Sequence, residues 1–562
     1  MNYLTAVNDK KRELTDLHTR MDNDRDLVNL DKYVLKDVGN KKIPNAISIT
    51  LNDPAVFAAN VEASLNNASE QVAVESSTRK INVAEIEEFL RMAFSTADSR
   101  LIRTGRWPIN SYLDQQTCRR GSGVLRILFR IENDELIADI TPWDSRYVYY
   151  AMGADGLLWA AYETNKSKEQ IESETWAKEK GFTITRKNAS VLDVWSKDVG
   201  EIYVDGKKVF DQKNPYGEVP VCVQRVSLGS MLADKGNLKF EGESIFFLIR
   251  DLQPELNRLV SIIQTLNIKA IDDALQYASK QGASATPPDH DDVTATHGIT
   301  PIDIGGGIIP VPYGELKRSA YLLHQMIESR VQQGSLSKFE LGAFTQPMSA
   351  IALIEIGQGR DVVFLPRLGA RGMLKQQAAE KIISQVLSLG VTKVLLGAKG
   401  HQREFSVNKL EGEYSIEYKY FVKSPTLDIS RFSMAAAAGD LIPESAKRRE
   451  ILQREDPEGD EDMLRWEEAE RLSPVVKQYR IIKSLREREE DGDKDAGFEA
   501  DLMEAQLEAT LGATMSGTVS QAPQPEKDQK PQQLLPIFGG GESSARKASE
   551  LQRTPREEIG EE

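Results

Sequence analysis

Two segments with apolar residues at helical spacing, 254–279 and 315–334, constrain the fold of this chain more than any other feature. In each of them the apolar residues recur at steps of three and four, which is typical of one buried helix face. The residues between them, 280–314, are rich in Pro, Gly, Asp and Thr and contain short strand-like pieces. The pattern predicts a hairpin of two helices with a small module at its tip.

The region 120–225 has a different texture, with short runs of β-branched and aromatic residues. Asp155-Gly156 and Asp205-Gly206 separate pairs of these runs, and Asp-Gly between apolar runs indicates a β-hairpin because the turn needs positive φ. The stretch NPYGEVPVCV ends the region, and Val219–Val223 is predicted to be an edge strand, where Pro220 is tolerated. The sequence therefore predicts an antiparallel, β-rich domain.

The remaining segments are mostly helical in pattern, and the predicted fold class is α+β. Gly357, Gly359, Pro366, Gly369 and Gly372 predict that the helix after residue 350 is broken or kinked. The other expectations are helix over 50–105, a strand pair over 401–432, a group of helices over 433–472, one charged helix over 474–512 and disorder beyond Ser516.

The charge balance of the chain bears on whether it could bind nucleic acid tightly. With a net charge of -15, the chain lacks the basic excess with which proteins hold phosphates tightly. This argues against a tight DNA binder but not against a protein that lets DNA pass. The two cysteines, Cys118 and Cys222, indicate a reducing compartment. The polar N-terminus predicts no signal peptide, and no apolar run is long enough to predict a membrane span.

The search for catalytic chemistry finds little. The chain has no P-loop, HExxH, CxxC or GxSxG motif, and the glycines of GQGRDV lack the context of a nucleotide-binding loop. The strongest metal candidate is the segment Asp289–His297, which offers carboxylate and imidazole ligands close together. A solvated acidic loop is the favoured interpretation, because no second pair of ligands is evident. Neither an enzyme nor a cofactor is predicted.

Six further residues are predicted to have structural roles. Cys118 has basic neighbours that could lower its pKa, but without a partner His or Asn it is predicted to be a structural thiol. Arg119 and Arg120, which could contact phosphate, are predicted to form a polar turn before a strand. His324 is predicted to be a packed or interfacial residue. Trp143 and Trp159 lie in strand patterns and are expected in a core or an interface.

The order of these parts resembles the portal (head-to-tail connector) proteins of tailed bacteriophages. In that family an N-P-[YF]-G-x-[VI]-P segment closes a wing domain, two stem helices bracket a clip, and a tunnel loop precedes a long wing helix. The resemblance covers about 50–512, and the helix after the tunnel loop departs from it by carrying more Gly and Pro. It implies an N-terminal arm at 1–49, a wing at 50–242, stem helices at 243–279 and 315–334, a clip at 280–314, a tunnel loop at 335–349, a wing helix and strand pair at 350–432, a helical crown and C-terminal helix at 433–512 and a disordered tail at 513–562.

The resemblance also implies a function. Portal proteins form a dodecameric ring at one capsid vertex of the virion, assembled in the host cytoplasm, through which double-stranded DNA is packaged and ejected. The implied partners are the large terminase subunit, the major capsid and scaffolding proteins and the head-completion or tail adaptor proteins, with no membrane. The residues expected near the DNA are Lys338, Phe339, Glu340, Phe344 and Gln346 in the tunnel loop and Lys317 and Arg318 in the stem, although a loop with buried aromatics and a solvated helix start explain them equally.

Two alternatives stay open from the sequence. Another neck or tail adaptor of a virion would share the absence of catalytic motifs without needing a clip between two stem helices. A metal-dependent hydrolase would use the Asp289–His297 cluster.

Overall fold

The computed structural model describes most of the chain, and the α+β class predicted from the sequence is confirmed. Contacts divide the chain into two compact units, Met1–Glu461 and Asp462–Glu562. The described residues are 2–78, 81–132, 135–232, 234, 236–271, 275–278, 307–310, 318–335, 350–398, 400, 402–421, 425–454, 457–490 and 494–515.

Helices account for most of the described residues. The α-helices are α1 Tyr3–Glu13, α2 Thr15–Val28, α3 Asp53–Asn66, α4 Val83–Arg103, α5 Ile109–Arg119, α6 Lys168–Ser173, α7 Thr175–Lys180, α8 Leu252–Ile271, α9 Arg318–Gly334, α10 Ala350–Ser388, α11 Pro425–Ala438, α12 Glu444–Ala446, α13 Pro457–Leu472, α14 Pro474–Glu490 and α15 Lys494–Met515. Short 3-10 turns at Ser145–Tyr147, Asn237–Phe240, Val407–Leu410 and Gly439–Leu441 and a π-helical turn at Lys447–Ile451 complete the helical elements.

The strands form antiparallel sheets, of which the two larger ones have the orders β3-β2-β9 and β4-β5-β6-β7-β8. Two-stranded sheets pair β1 with β14, β10 with β11 and β12 with β13. The strands are β1 Ser69–Glu75, β2 Ser122–Glu132, β3 Glu135–Trp143, β4 Val148–Gly153, β5 Gly156–Ser167, β6 Asn188–Ser196, β7 Val199–Val204, β8 Lys207–Lys213, β9 Val221–Arg225, β10 Leu275–Ala278, β11 Gly307–Pro310, β12 Lys393–Leu396, β13 Arg403–Ser406 and β14 Ser415–Phe421.

The antiparallel β-rich region forms as the turn signals predict. Asp205 and Gly206 join β7 to β8 with φ values of 47° and 76°, the positive values that a two-residue hairpin turn requires. The strand after NPYG is β9, which is the edge of its sheet and so tolerates Pro220 just before it. Trp143 and Trp159 are both buried, as expected.

The five-stranded sheet is covered on one face by the first two helices. Val7 and Leu17 of this N-terminal arm pack against Tyr149, Trp159 and neighbouring strand residues in one buried cluster. The highly charged arm therefore docks through its few apolar residues, which are spaced to face the sheet.

Two secondary-structure predictions, one of a helix and one of a strand pair, were wrong because the strands that pair are distant in sequence. Strand β1 lies inside the region predicted to be helical, and its residues Ser69–Glu75 pair antiparallel with Phe421–Ser415. The predicted strand pair over 401–432 does not form, since β13 pairs with β12 and β14 pairs with β1. The end of that range belongs instead to α11.

The long helix α10 is continuous over 39 residues with Pro366 inside it, so the predicted break does not occur, and the alternative, a kink, stays a prediction. Its buried residues join α3, α4, α5, β2 and β14 in the main hydrophobic core. Gln385 on this helix accepts a hydrogen bond from the Phe129 amide and donates one to the Ile127 carbonyl, both at 2.9 Å. Burial against the sheet stabilises the helix beyond what its Gly and Pro content would allow alone.

Two helix boundaries also differ from the predictions. The first predicted stem helix was expected to reach residue 279, but α8 ends at Ile271 and Leu275–Ala278 is strand β10. The single helix predicted over 474–512 is the pair α14 and α15, whose facing surfaces pack together within the second unit. The tail beyond Ser516 lies outside the described residues.

Candidate functional site

Helices α8 and α9 are the described part of the helical pair that the sequence singled out, and they pack against each other. Leu256 on α8 and Ile327 and Val331 on α9 are buried in the main core. Gly334, the last residue of α9, lies so close to the chain before α8 that an added Cβ would be 2.8 Å from Ile249 Cγ2. The predicted helix stop at Gly334 is thus also a point of close contact.

Several large apolar side chains of α9 are exposed beside its buried residues. Tyr321, Leu322, Leu323 and Met326 are 40% to 58% exposed within two turns of the helix. Single exposed apolar residues are ordinary, but a contiguous group of large ones marks an interaction site. We call these four residues the α9 patch.

Most of the predicted site residues lie outside the described residues. Arg318 is the first residue of α9, but its side chain is not described, and neither is the candidate metal segment Asp289–His297. The same holds for the other predicted channel residues, Lys317, Lys338, Phe339, Glu340, Phe344 and Gln346.

A buried cluster of four charges holds the N-terminal arm to the start of α8. Arg250, two residues before the helix, donates to both carboxylate oxygens of Asp24 at 2.6 and 2.9 Å and to Glu243 at 2.7 Å. Arg20 lies 3.3 Å from Glu243 and donates to the Gly242 carbonyl at 2.7 Å. Asp24 and Glu243 are each 1% exposed. We call these residues the α8 ion cluster.

The electrostatics of the cluster follow from burial and pairing. Burial alone would lower the pKa of Arg250, but the ion pairs with Asp24 and Glu243 outweigh it and raise that pKa. Burial lowers the pKa of Arg20, and the attraction of Glu243 offsets only part of this effect. Two cations and two anions thus compensate each other in a dry site, an arrangement that can position a helix but offers no free acid or base.

A backbone crossing adjoins this cluster. Gly121 precedes β2 with a φ of 73°, and a Cβ placed there would be 1.9 Å from the carbonyl oxygen of Gly242. The chain that leads to α8 therefore touches the sheet β3-β2-β9 where only a glycine fits.

His18 on α2 of the arm is buried against the five-stranded sheet, with its ring 5.8 Å from that of Tyr149 in an edge-to-face arrangement. Burial, followed by the positive charge of Arg146, lowers the pKa of His18 from 6.5 to about 4. Its imidazole is therefore neutral in the folded protein at neutral pH.

Acid is expected to weaken the docking of this arm. Since the folded pKa is below the unfolded one, stability is present above pH 6.5 and is lost as the pH falls toward 4. Between pH 7 and pH 4.5 the wild type should lose about 2 kcal/mol more unfolding free energy than His18→Phe. Urea denaturation at the two pH values measures this, and equal losses in both proteins would contradict it.

A cavity of about 960 Å³ lies between the two larger sheets. Trp143 on one wall stacks on Tyr162 of the other, with ring centroids 4.8 Å apart. Arg126 donates to Asp139 at 3.0 Å and to Asp193 at 3.1 Å. Although burial would raise the pKa of Asp139, Arg126 and other arginines hold it well below its usual range. Three carboxylates that line this cavity, Asp139, Asp193 and Glu174, are therefore engaged in ion pairs.

The other candidates have structural surroundings. Cys118 is free and buried, and burial raises the pKa of its thiol, contrary to the lowering that its basic neighbours suggested. Arg119 pairs with Glu62 at 2.7 Å, and Arg120 donates to the Met21 carbonyl at 2.8 Å. His324 is partly exposed, 3.9 Å from Glu328. Within the described ranges no group of three His, Cys, Asp or Glu side chains could hold a metal ion.

The α8 ion cluster was missed by the sequence reasoning. Arg20 and Asp24 are four residues apart and so share a face of α2, but the arm contains many other charges with the same spacing. Glu243 and Arg250 lie at the two ends of an apolar run. This position is the one feature of the sequence that could have indicated that these two charges are buried.

Comparison with known proteins gives partial likenesses. No family model and no curated protein matches the chain. The chain is similar to a structure described as the neck of an empty GTA particle computed with C6 symmetry, with a TM-score of 0.38, 13% identity, and coverage of 71% of this chain and 89% of that chain. The chain is also similar to a structure described as the virion of a native gene transfer agent (GTA) particle, with a TM-score of 0.36 and 12% identity. The match covers 70% of this chain and 88% of that chain. A third similar structure is described as the neck of a native GTA particle computed with C12 symmetry, with a TM-score of 0.32 and 12% identity. That match covers 65% of this chain and 89% of that chain.

Every TM-score is below 0.5, so these likenesses assign neither a family nor a function to this chain. No helix in the described part of the chain combines the length and the apolar character that a membrane span requires.

Proposed function

We propose that this chain is the subunit of a portal ring at one capsid vertex of a phage-like virion, with double-stranded DNA passing through the central channel. In this proposal α8 and α9 are the stem helices. The observation that carries it is the α9 patch, which lies on a helix that already buries Ile327 and Val331 in its own core.

The patch requires a partner, and a second copy of the chain is the partner proposed. A patch that meets a different surface on the next copy makes a head-to-tail contact, and such contacts close into a ring when the rotation allows. Burying large apolar side chains between copies stabilises the assembly, since each contributes about 1.5–3 kcal/mol when fully buried.

The charge of the chain supports a passage for DNA. A net charge of -15 disfavours retention of phosphates, so a polyanion could slide through the ring without adhering. The channel contacts are proposed at Lys338, Phe339, Glu340, Phe344 and Gln346, with Lys317 and Arg318 on the stem. The clip at 280–314 is proposed to dock the terminase motor and later the head-completion or tail adaptor proteins.

Placing charges in the α9 patch is the test. The double variant Leu322→Glu/Met326→Glu should reduce the fraction of assembled rings at least about tenfold, which corresponds to about 1.4 kcal/mol. Mass photometry and negative-stain electron microscopy of the purified full chain measure this fraction.

The matched control is Leu158→Glu, since Leu158 is 59% exposed and Leu322 is 58% exposed. This variant should assemble like the wild type. A wild-type chain that stays monomeric under all assembly conditions, or a double variant that forms normal rings, would reject the proposal.

A further inference from the structure

An extended segment of the N-terminal arm, residues 47–51, runs along α8 and is held by a row of polar side chains. The amides of Ile47, Ile49 and Leu51 donate to side-chain oxygens of the helix at 3.0, 2.9 and 3.0 Å. The acceptors are, in the same order, Thr265, Ser261 and Asn257. The segment and the helix therefore run in opposite directions.

This match depends on two repeat lengths. Two residues of extended chain advance about 6.6 Å, and four residues of α-helix advance about 6.0 Å. Because the two lengths nearly agree, every second amide of the segment meets every fourth side chain of α8. The polar side chains of α8 therefore bind the main-chain amides of the segment and not its side chains.

The alternate residues of the segment bind a second strip of chain. The hydroxyl of Ser48 accepts a hydrogen bond from the Leu35 amide at 3.0 Å, and that of Thr50 accepts one from the Tyr33 amide at 2.8 Å. The segment thus joins α8 on one side to residues 33–35 on the other.

The row on α8 is suited to this partner. Ser261 is fully buried and Asn257 is 6% exposed, and buried polar groups are costly unless they are hydrogen-bonded. Ser261 donates its hydroxyl proton to the Asn257 carbonyl at 2.7 Å, which leaves its oxygen lone pairs for the Ile49 amide. Thr265 likewise donates to the Ser261 carbonyl at 2.7 Å and accepts from Ile47.

We infer that residues 47–51 are a clasp that fixes the position of α8 against the N-terminal arm, with Asn257, Ser261 and Thr265 as positioning residues. The clasp grips the length of the helix, while the α8 ion cluster holds its start. That the clasp sets the position of a channel-wall helix rests on the proposed function; the clasp itself does not.

Residue-resolved hydrogen exchange on the full chain tests the alternation. The amides of residues 47, 49 and 51 should exchange at least about fivefold more slowly than those of 48 and 50, the effect of one net hydrogen bond of about 1 kcal/mol. Thr265→Val should accelerate exchange at Ile47 by a similar factor, whereas Thr265→Ser, which keeps the hydroxyl, should retain the protection.

A second pair of variants separates main-chain from side-chain recognition. Ile49→Pro removes the donated N–H and should accelerate exchange at Ile47 and Leu51, whereas Ile49→Ala keeps the donor and should leave them protected. Should Ile49→Pro fail to fold, the Thr265 pair still decides the question.

A distance measurement tests positioning. Spin labels at Arg258→Cys and Leu158→Cys, with the buried native cysteines unlabelled, should give a broader distance distribution with Thr265→Val but not with Thr265→Ser. Labelled chains are diluted with unlabelled protein. Uniform exchange over 47–51, or identical behaviour of the two Thr265 variants, would overturn the clasp. An absence of rings with the alternating pattern intact would reject only the proposed function.

Discussion

Arg250→Met is expected to lower the free energy of unfolding by about 3–5 kcal/mol. The substitution keeps much of the side-chain volume but removes the guanidinium that hydrogen-bonds to both Asp24 and Glu243. Both carboxylates are 1% exposed, so they would remain as buried charges with too little positive charge nearby. Urea denaturation followed by tryptophan fluorescence measures the change.

The control for this prediction lies eight residues along the chain. Arg258 is 48% exposed and lies 3.6 Å from Glu255 in an i,i+3 pair, so Arg258→Met should cost at most about 0.5 kcal/mol. A similar midpoint for the two variants would mean that the α8 ion cluster does not hold the arm to the helix.

Gly121→Ala should be destabilising by about 3–6 kcal/mol, through strain at positive φ and through overpacking against the chain. The new methyl group would be 1.9 Å from the Gly242 oxygen. That oxygen is a backbone atom and the Cβ is fixed to the main chain, so neither can move aside as the end of a flexible side chain can. The yield of soluble protein and its urea midpoint are the measurements.

Gly105→Ala isolates the contribution of the backbone conformation. Gly105 has a φ of 72°, nearly the same as Gly121, but an added Cβ there meets nothing within 4 Å. This variant should lose only about 1–2 kcal/mol, the cost of a left-handed conformation for a residue with a Cβ. Equal losses in the two variants would show that the crossing at Gly242 relaxes.

Local chemistry made several elements predictable. The Asp205-Gly206 turn needs two residues that accept positive φ, and the hairpin of β7 and β8 forms there. The periodic apolar residues of 254–279 and 315–334 predicted α8 and α9, and Gly334 correctly marked the end of α9. Of the candidate site, the helical pair was therefore predictable, while the predicted channel residues remain predictions.

Other elements were not predictable from the sequence, because they depend on contacts between residues that are distant along the chain. Strand β1 pairs with β14, which lies more than three hundred residues further along the chain, and nothing in the sequence of Ser69–Glu75 indicates that pairing. Pro366 predicted a broken or kinked helix, yet α10 is continuous, because its burial in the main core stabilises it against the local preference. Arg20 and Asp24 look like other surface charges until the fold places Glu243 and Arg250 beside them.

The sequence by itself determined the helical pair, the hairpin turns and the acidic, motif-poor character of the chain, because each depends on neighbours within a few residues. Only the tertiary structure decided which charges are buried, which strands pair and which segment clasps α8. Those outcomes depend on contacts between distant residues, whose free energies a local pattern does not contain.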